Sequence, residues 1–274
     1  MAGNTNIAGR SVTSKVMAIL EAFLPASREL TLNQLARRTG LPVSTTYRLI
    51  VELVEAGGLE RVPTGGYRVG MRLWEIAALA GRGVTLQEVA APYMADLYEA
   101  THENVQLAVL HGREALYIEK IAGRRSARIR TRRGGRLPLH ATGVGKVLLA
   151  YARPDIVDDI LDSGLRRYTP HTVVAPGQLR RVLADVRASG VAFAREELTA
   201  GSVSVAAPVF DASGTVVAAM SLVLKASDTN LRRLAPAVRT ASCGVSREMR
   251  TRSILLDRGA DLLAGSRSRF VTDE

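Results

Sequence analysis

The first seventy residues carry apolar positions at helical spacing and then at strand spacing. Ser14–Phe23 (SKVMAILEAF) predicts an amphipathic helix. A second helix is predicted over Thr31–Thr39, with Leu32, Leu35 and Ala36 on one stripe. Thr31, followed three residues later by Gln34, has the form of a capping box, in which each side chain satisfies the other residue's exposed N–H. Gly40 stands where a left-handed residue stops a helix, and Pro42 where a missing N–H is no loss to the next one. That next helix is predicted from Pro42 to Ala56. Val43, Tyr47, Ile50 and Val54 form its expected buried stripe, widened by Leu49 and Leu53, which leaves Ser44, Thr45, Arg48 and Glu52 outward. Gly57 and Gly58 end it, and Leu59–Val62 and Tyr67–Val69 read as short strands about the turn Pro63-Thr64-Gly65-Gly66.

Beyond this hairpin, Met71–Gly81 (MRLWEIAALAG) predicts a helix made adhesive by Trp74, Ala77, Ala78 and Leu79. It either links two domains and helps to pair subunits, or packs on its own domain. Leu86–Ala100 is a further helix. From Val105 the apolar period changes to that of strands: Val105–Leu110 and Ala115–Ile121 about His111-Gly112-Arg113, then Ala127–Thr131. Helices are predicted at Gly143–Tyr151, Asp155–Asp162 and Gln178–Ser189. Strands follow at Val191–Arg195, Val203–Phe210 and Val216–Leu224, and a long helix at Asn230–Arg252. The strands do not alternate regularly with helices, so the expected class is α+β with a mainly antiparallel sheet. The implied division is a winged helix-turn-helix at residues 8–70, with its helix-turn-helix at about 31–50. A linking helix at 71–84, a second domain at 85–252 and a loosely attached polar tail at 253–274 complete it.

A winged helix-turn-helix places its second helix in the major groove of DNA and its hairpin beside it. Ser44, Thr45, Thr46 and Arg48 are the side-chain types that reach base edges and phosphates from such a helix. Arg37 and Arg38 are placed to grip the flanking backbone, and Arg61 and Arg68 to hold backbone or minor groove from the wing. A small helical subdomain with a solvated face would share part of this pattern. The cap, the glycine-proline turn and the basic hairpin together favour DNA. Charge does not decide the matter locally, since residues 1–70 hold eight Lys/Arg against five Asp/Glu.

The 274 residues suit two domains, and the net charge of +11 favours an anionic partner. Nucleic acid fits, and acidic small molecules or a membrane surface are not excluded by charge. Cys243 is the only cysteine, which removes an intrachain disulfide framework and a cysteine-rich zinc site and suits a reducing cytoplasm. Met1 to Arg10 is polar and lacks the apolar core of a signal peptide, and no apolar run has membrane-spanning length. Lys120–Arg136 holds eight basic residues and no acid. A solvated hairpin edge is the favoured reading, over attraction of an acidic effector or a subunit contact.

Gly143-Val144-Gly145-Lys146 looks like the end of a phosphate loop, but His140 and Val147 occupy positions that such a loop gives to glycine and to serine or threonine. Anion binding at a helix start and plain helix entry both remain open there. His102, His111, His140 and His171 have no metal-ligand spacing, and no nucleophile–base set has supporting context. No catalytic residue, metal or cofactor is expected.

Over Ile7 to Arg252 the chain resembles the IclR family of transcriptional regulators. The resemblance is carried by LTLNQLARRTGLPVSTTYRLIVELVEAG and YRVGMRLWEIA near the N-terminus. Further on it is carried by GGRLPLHATGVGKVLLA (residues 134–150), RRYTPHTV (166–173) and GVAFAREELTAGSVSVAAPVFDASGTVVAAMSL (190–222). It implies a regulator that binds double-stranded operator DNA as a dimer or a dimer of dimers, more often as a repressor than as an activator. It also implies a GAF-like C-terminal domain that takes a small organic or aromatic acid. Carried onto this chain, the effector pocket falls on Leu137, Gly143, Val144, Ser204 and Ser221, with Glu196 and Glu197 as the acidic pair before Gly201. Ser204 stands where many members have cysteine, and Val223-Leu224-Lys225 where many have serine-glycine-proline. Both departures bear on which ligand is bound. The competing expectations are a metabolic enzyme whose N-terminal domain only mediates assembly, and a sequence-neutral, nucleoid-type binder.

Overall fold

The computed structural model describes residues 11–24, 27–79, 81–122, 131–226 and 231–267. The backbone divides into two compact units between Val84 and Thr85.

The first unit holds α1 (Val12–Glu21), α2 (Leu32–Thr39), α3 (Val43–Glu55), β1 (Leu59–Arg61), β2 (Tyr67–Val69) and α4 (Met71–Ala78). Ile19 of α1, Leu35 of α2, Leu49 and Ile50 of α3, and Leu59 of β1 share one apolar core. Leu30 joins it and extends the hairpin: its N–H and carbonyl exchange hydrogen bonds of 2.9 and 2.8 Å with Tyr67. The buried stripe of α3 differs from the one expected. Thr46, Leu49 and Ile50 are buried, whereas Val43 and Tyr47 are 49% and 53% exposed. Residues 46, 49, 50 and 53 already form an i, i+3, i+4, i+7 set. At about 100° per residue Tyr47 stands roughly 200° from Leu49 and cannot share its face.

In the second unit, α5 (Gly81–Thr101) leads into β3 (Asn104–His111), β4 (Glu114–Ile121) and β5 (Arg136–Pro138). There follow α6 (Gly143–Ala150), α7 (Pro154–Asp162), α8 (Pro176–Ser189), β6 (Ala192–Arg195), β7 (Ser202–Phe210), β8 (Val216–Lys225) and α9 (Leu231–Arg267). The six strands form one sheet in the order β5-β4-β3-β8-β7-β6, antiparallel at every pairing. Its two faces are separated by strand alternation. Val203, Val205, Val209, Met220 and Leu222 pack with α5 and α9. Ala206 and Ala219 point the other way, among residues of α6, α7 and α8.

The strand expected at Ala127–Thr131 lies outside the described residues except for Thr131, which is in no strand. The short β5 pairs with β4. The backbone is helical as far as Arg267, well into the segment expected to be a loose tail.

Candidate functional site

In the helix-turn-helix, Thr31 Oγ1 accepts a 3.3 Å bond from the Gln34 N–H, and Gln34 Oε1 accepts a 2.8 Å bond from the Thr31 N–H. The capping box is therefore complete. Gly40 closes α2 with φ of 70°, a conformation that costs a side chain dearly and glycine little. Two residues on, α3 begins.

The structure separates the eight residues expected at DNA. Ser44 and Arg48 are exposed on α3, and Thr45 is half-buried beside them. Arg37 is exposed at the end of α2, and Arg61 on β1. Arg37, Arg48 and Arg61 make no ion pair among the described residues. Thr46 is a correction: it is fully buried, and its hydroxyl donates a 3.0 Å bond to the Pro42 carbonyl one turn back. It braces the start of α3 instead of facing the groove. Arg38 is held by its own domain, donating 2.7 Å to the Ala22 carbonyl and 2.9 Å to Ser27 Oγ. Arg68 faces Glu60 across the hairpin, with Nε 2.8 Å from Oε2. That guanidinium, with the Met71 N–H, holds the Glu60 carboxyl below its ordinary range.

In the second unit, all five residues expected at an effector border one cavity: Leu137, Gly143, Val144, Ser204 and Ser221. About 50 Å³ of the cavity admits the centre of a water-sized sphere, and about 470 Å³ is free of protein once its open mouth is counted. One wall is the start of α6. Thr142 caps that helix by accepting from the Gly145 N–H at 3.1 Å, and its own hydroxyl donates to the Pro138 carbonyl at 2.9 Å. The first N–H groups of the helix, Gly143 and Val144, lie too early for an acceptor within it. The opposite wall is a row of polar residues on an otherwise apolar sheet. Gln106 on β3 pairs with Ser221 on β8, and Ser204 lies on β7 opposite Val223. Gln106 is anchored by donating 3.1 Å to Thr131 Oγ1. A Cβ on Gly143 would lie 2.7 Å from Ser204 Oγ, so the missing side chain is what lets α6 approach this row.

The resemblance named Glu197, but sequence reasoning missed the buried ion pair that it makes with Lys146. Every residue of α6 is buried, Lys146 included. Its ammonium bonds Glu197 Oε1 at 2.5 Å and the Phe193 carbonyl at 3.1 Å. Burial lowers the Lys146 pKa and the Glu197 carboxylate opposes that shift. Glu197 is the only ionisable acid or base of ordinary pH among the described residues lining the cavity. Its Oε2 is buried with no hydrogen-bond partner. The available signal was a lysine inside an apolar run, which demands a buried partner. Glu196, its neighbour, has φ of 54° and accepts from the Gly201 N–H at 2.7 Å, shaping the loop that delivers Glu197.

Part of the basic stretch at 120–136 lies outside the described residues. Of the rest, Arg133 bonds Glu119 at 2.6 Å, Arg136 lies 3.8 Å from Glu114, and Lys120 Nζ donates to the Thr131 carbonyl at 2.9 Å. Among the described residues no His, Cys, Asp and Glu group is arranged to hold a metal ion. Nor, among the described residues, is any helix long and apolar enough to cross a membrane.

Residues 12–63 match the sequence profile of the IclR helix-turn-helix domain, and residues 79–247 that of the bacterial transcriptional regulator IclR C-terminal region. The HTH-type transcriptional regulator XynR of Escherichia coli (strain K12) is 31% identical over 240 residues, which span 86% of this chain and 95% of XynR. KdgR, an HTH-type transcriptional regulator of the same organism, is 32% identical over 240 residues, spanning 86% and 91%. An IclR homolog from Microbacterium hydrocarbonoxydans, crystallised with 4-hydroxybenzoate, has a TM-score of 0.84 at 34% identity, covering 88% of this chain and all of that one. Both characteristic segments thus occur in order on one chain and over most of its length, and the chain belongs to the IclR family of bacterial DNA-binding transcriptional regulators.

Proposed function

We propose that this regulator is a cytoplasmic repressor that binds a pseudo-palindromic operator as a dimer or a dimer of dimers. A small organic acid in the α6 cavity sets its affinity for that operator. The observation that carries this reading is the convergence of Leu137, Gly143, Val144, Ser204 and Ser221 on one cavity at a helix start. A carboxylate suits the unsatisfied N–H groups and positive end of that helix. The Ser204 and Ser221 hydroxyls can hydrogen-bond a bound acid from the sheet side. Aromatic acids fall within this class, and the Microbacterium homolog holds one, 4-hydroxybenzoate.

The protein acts by binding, without turnover. Ser44, Thr45 and Arg48 contact the major groove, Arg37 the flanking backbone, and Arg61 and Arg68 the wing's side of the site. Thr46 and Arg38 support that surface from beneath. Effector binding changes operator affinity by the ratio of effector affinities for the DNA-competent and the other state. The test is binding of the full chain to the DNA upstream of its own gene, against scrambled DNA, across a salt series and with 4-hydroxybenzoate or other small acids added. Selective binding that shifts with one acid supports the reading. Equal, steeply salt-dependent binding to both DNAs, unmoved by any acid, counts against it.

A further inference from the structure

Along α3 the side chains form two parallel rows. Ser44 and Arg48 make a polar row. Val43, Tyr47 and Val51 make an apolar row beside it, each residue four positions from the last and each exposed. Residues four apart lie on one helical face. An isolated exposed valine or tyrosine means little. Here the three lie on the helix that a winged helix-turn-helix sends into the major groove, next to an arginine with no ion pair among the described residues. The core of this unit does not use them: α3 is anchored by Thr46, Leu49 and Ile50 on another face.

Thymine alone presents a methyl group in the major groove, and apolar side chains recognise it there. We propose that Val43 and Tyr47 form an apolar reading edge that contacts thymine methyl groups of the operator, beside the polar edge of Ser44 and Arg48. Val43 sits in the first turn, where recognition helices meet base edges. Tyr47, one turn later, adds the area of an aromatic ring. The row thus supplies sequence preference that the hydroxyls and the arginine alone would not. This inference rests on the reading that α3 enters the groove.

The experiment begins by selecting bound sequences from a random duplex pool with the full chain. Each thymine of the selected site is then replaced singly by deoxyuridine, which removes only the methyl group. The wild type is expected to lose about fourfold in affinity at one or two thymines per half-site, the transfer value of one buried methyl. Val43→Ala and Tyr47→Ala are expected to abolish that loss, each at its own position, with unchanged thermal melting because both side chains are exposed. Specific binding that ignores uracil at every position would overturn the inference and leave the DNA-binding reading intact. So would a uracil penalty that persists in both variants. A change of oligomeric state in sedimentation, with the penalty intact, would overturn it too and assign the row to a protein contact. A selection that returns no preferred sequence would overturn both readings.

Discussion

The ammonium of Lys146 lies 2.5 Å from Glu197 Oε1, with the two side chains 2% and 8% exposed. The pair joins fully buried α6 to the loop after β6, so one contact fixes both the cavity's helical wall and its acidic corner. Burying two charges is tolerable only while each satisfies the other. Lys146→Met should therefore destabilise the second unit by about 3–5 kcal/mol, because it leaves a buried carboxylate without its cation. Glu197→Gln should be costly for the converse reason. The double variant Lys146→Met/Glu197→Gln should lose less than the two single losses combined. Denaturant unfolding of all four proteins measures this, and additive losses would mean that the two residues do not act as a pair.

Two neighbouring arginines should behave in opposite ways. Arg48 is exposed on α3 and makes no ion pair among the described residues, so Arg48→Ala should fold as well as wild type. It should lose about 1–3 kcal/mol of operator affinity if Arg48 pairs with guanine. Arg38 is bound to the Ala22 carbonyl and to Ser27, so Arg38→Ala should lower stability by about 1 kcal/mol and affinity only through that loss. Thermal melting and a binding titration on the same preparations separate them. Retention of full discrimination by Arg48→Ala would remove it from the reading surface.

Much of this was legible because local chemistry and tertiary packing agree. The capping box at Thr31 and Gln34, the stop at Gly40 and five of the six strands of the second unit follow from patterns within a few residues; the short β5 did not. The rest depended on partners distant in sequence. Tyr47 and Thr46 are adjacent, and both fit a helical stripe. Which of them is buried is decided by where α2 and β1 lie against α3. The five residues that border the cavity were singled out only through family resemblance, because Ser204 and Ser221 interrupt apolar strands and nothing local says what faces them. Glu197 was placed by the resemblance as half of an acidic pair, but its bond to Lys146, fifty-one residues earlier, has no local signature.

Acid should weaken the second unit through His140. Its ring is buried and lies 2.9 Å from the Arg166 carbonyl, and burial holds its pKa below the ordinary histidine value. The unfolded chain therefore takes up this proton at a higher pH than the folded one. Stability from this group is complete above about pH 6.5 and is lost as pH falls from there through the lower folded pKa. His140→Asn should be less stable than wild type near neutrality, with a flatter decline on acidification. Urea midpoints at about pH 8, 6.5 and 5.5 provide the comparison. An identical slope in the variant would assign the acid limb to the carboxylates.

Two glycines of α6 should fail differently when given a methyl group. At Gly145 a Cβ would lie 2.3 Å from the Leu139 carbonyl oxygen and 2.5 Å from its Cα. Backbone cannot yield there, so Gly145→Ala should destabilise the unit by about 1–3 kcal/mol or more. At Gly143 the nearest atom is Ser204 Oγ at 2.7 Å, the tip of a small side chain that lines the cavity. Gly143→Ala should fold, occupy part of the cavity and weaken binding of a small acid at least tenfold, while DNA binding without effector persists. Adding Ser204→Ala removes the clashing oxygen and should relieve the strain of that contact, yet restore ligand affinity only in part, since the hydroxyl is lost as well. Calorimetric titration with an acid that shifts operator binding, run beside the DNA assay, tests this. Undiminished affinity in Gly143→Ala would place the effector elsewhere in the fold.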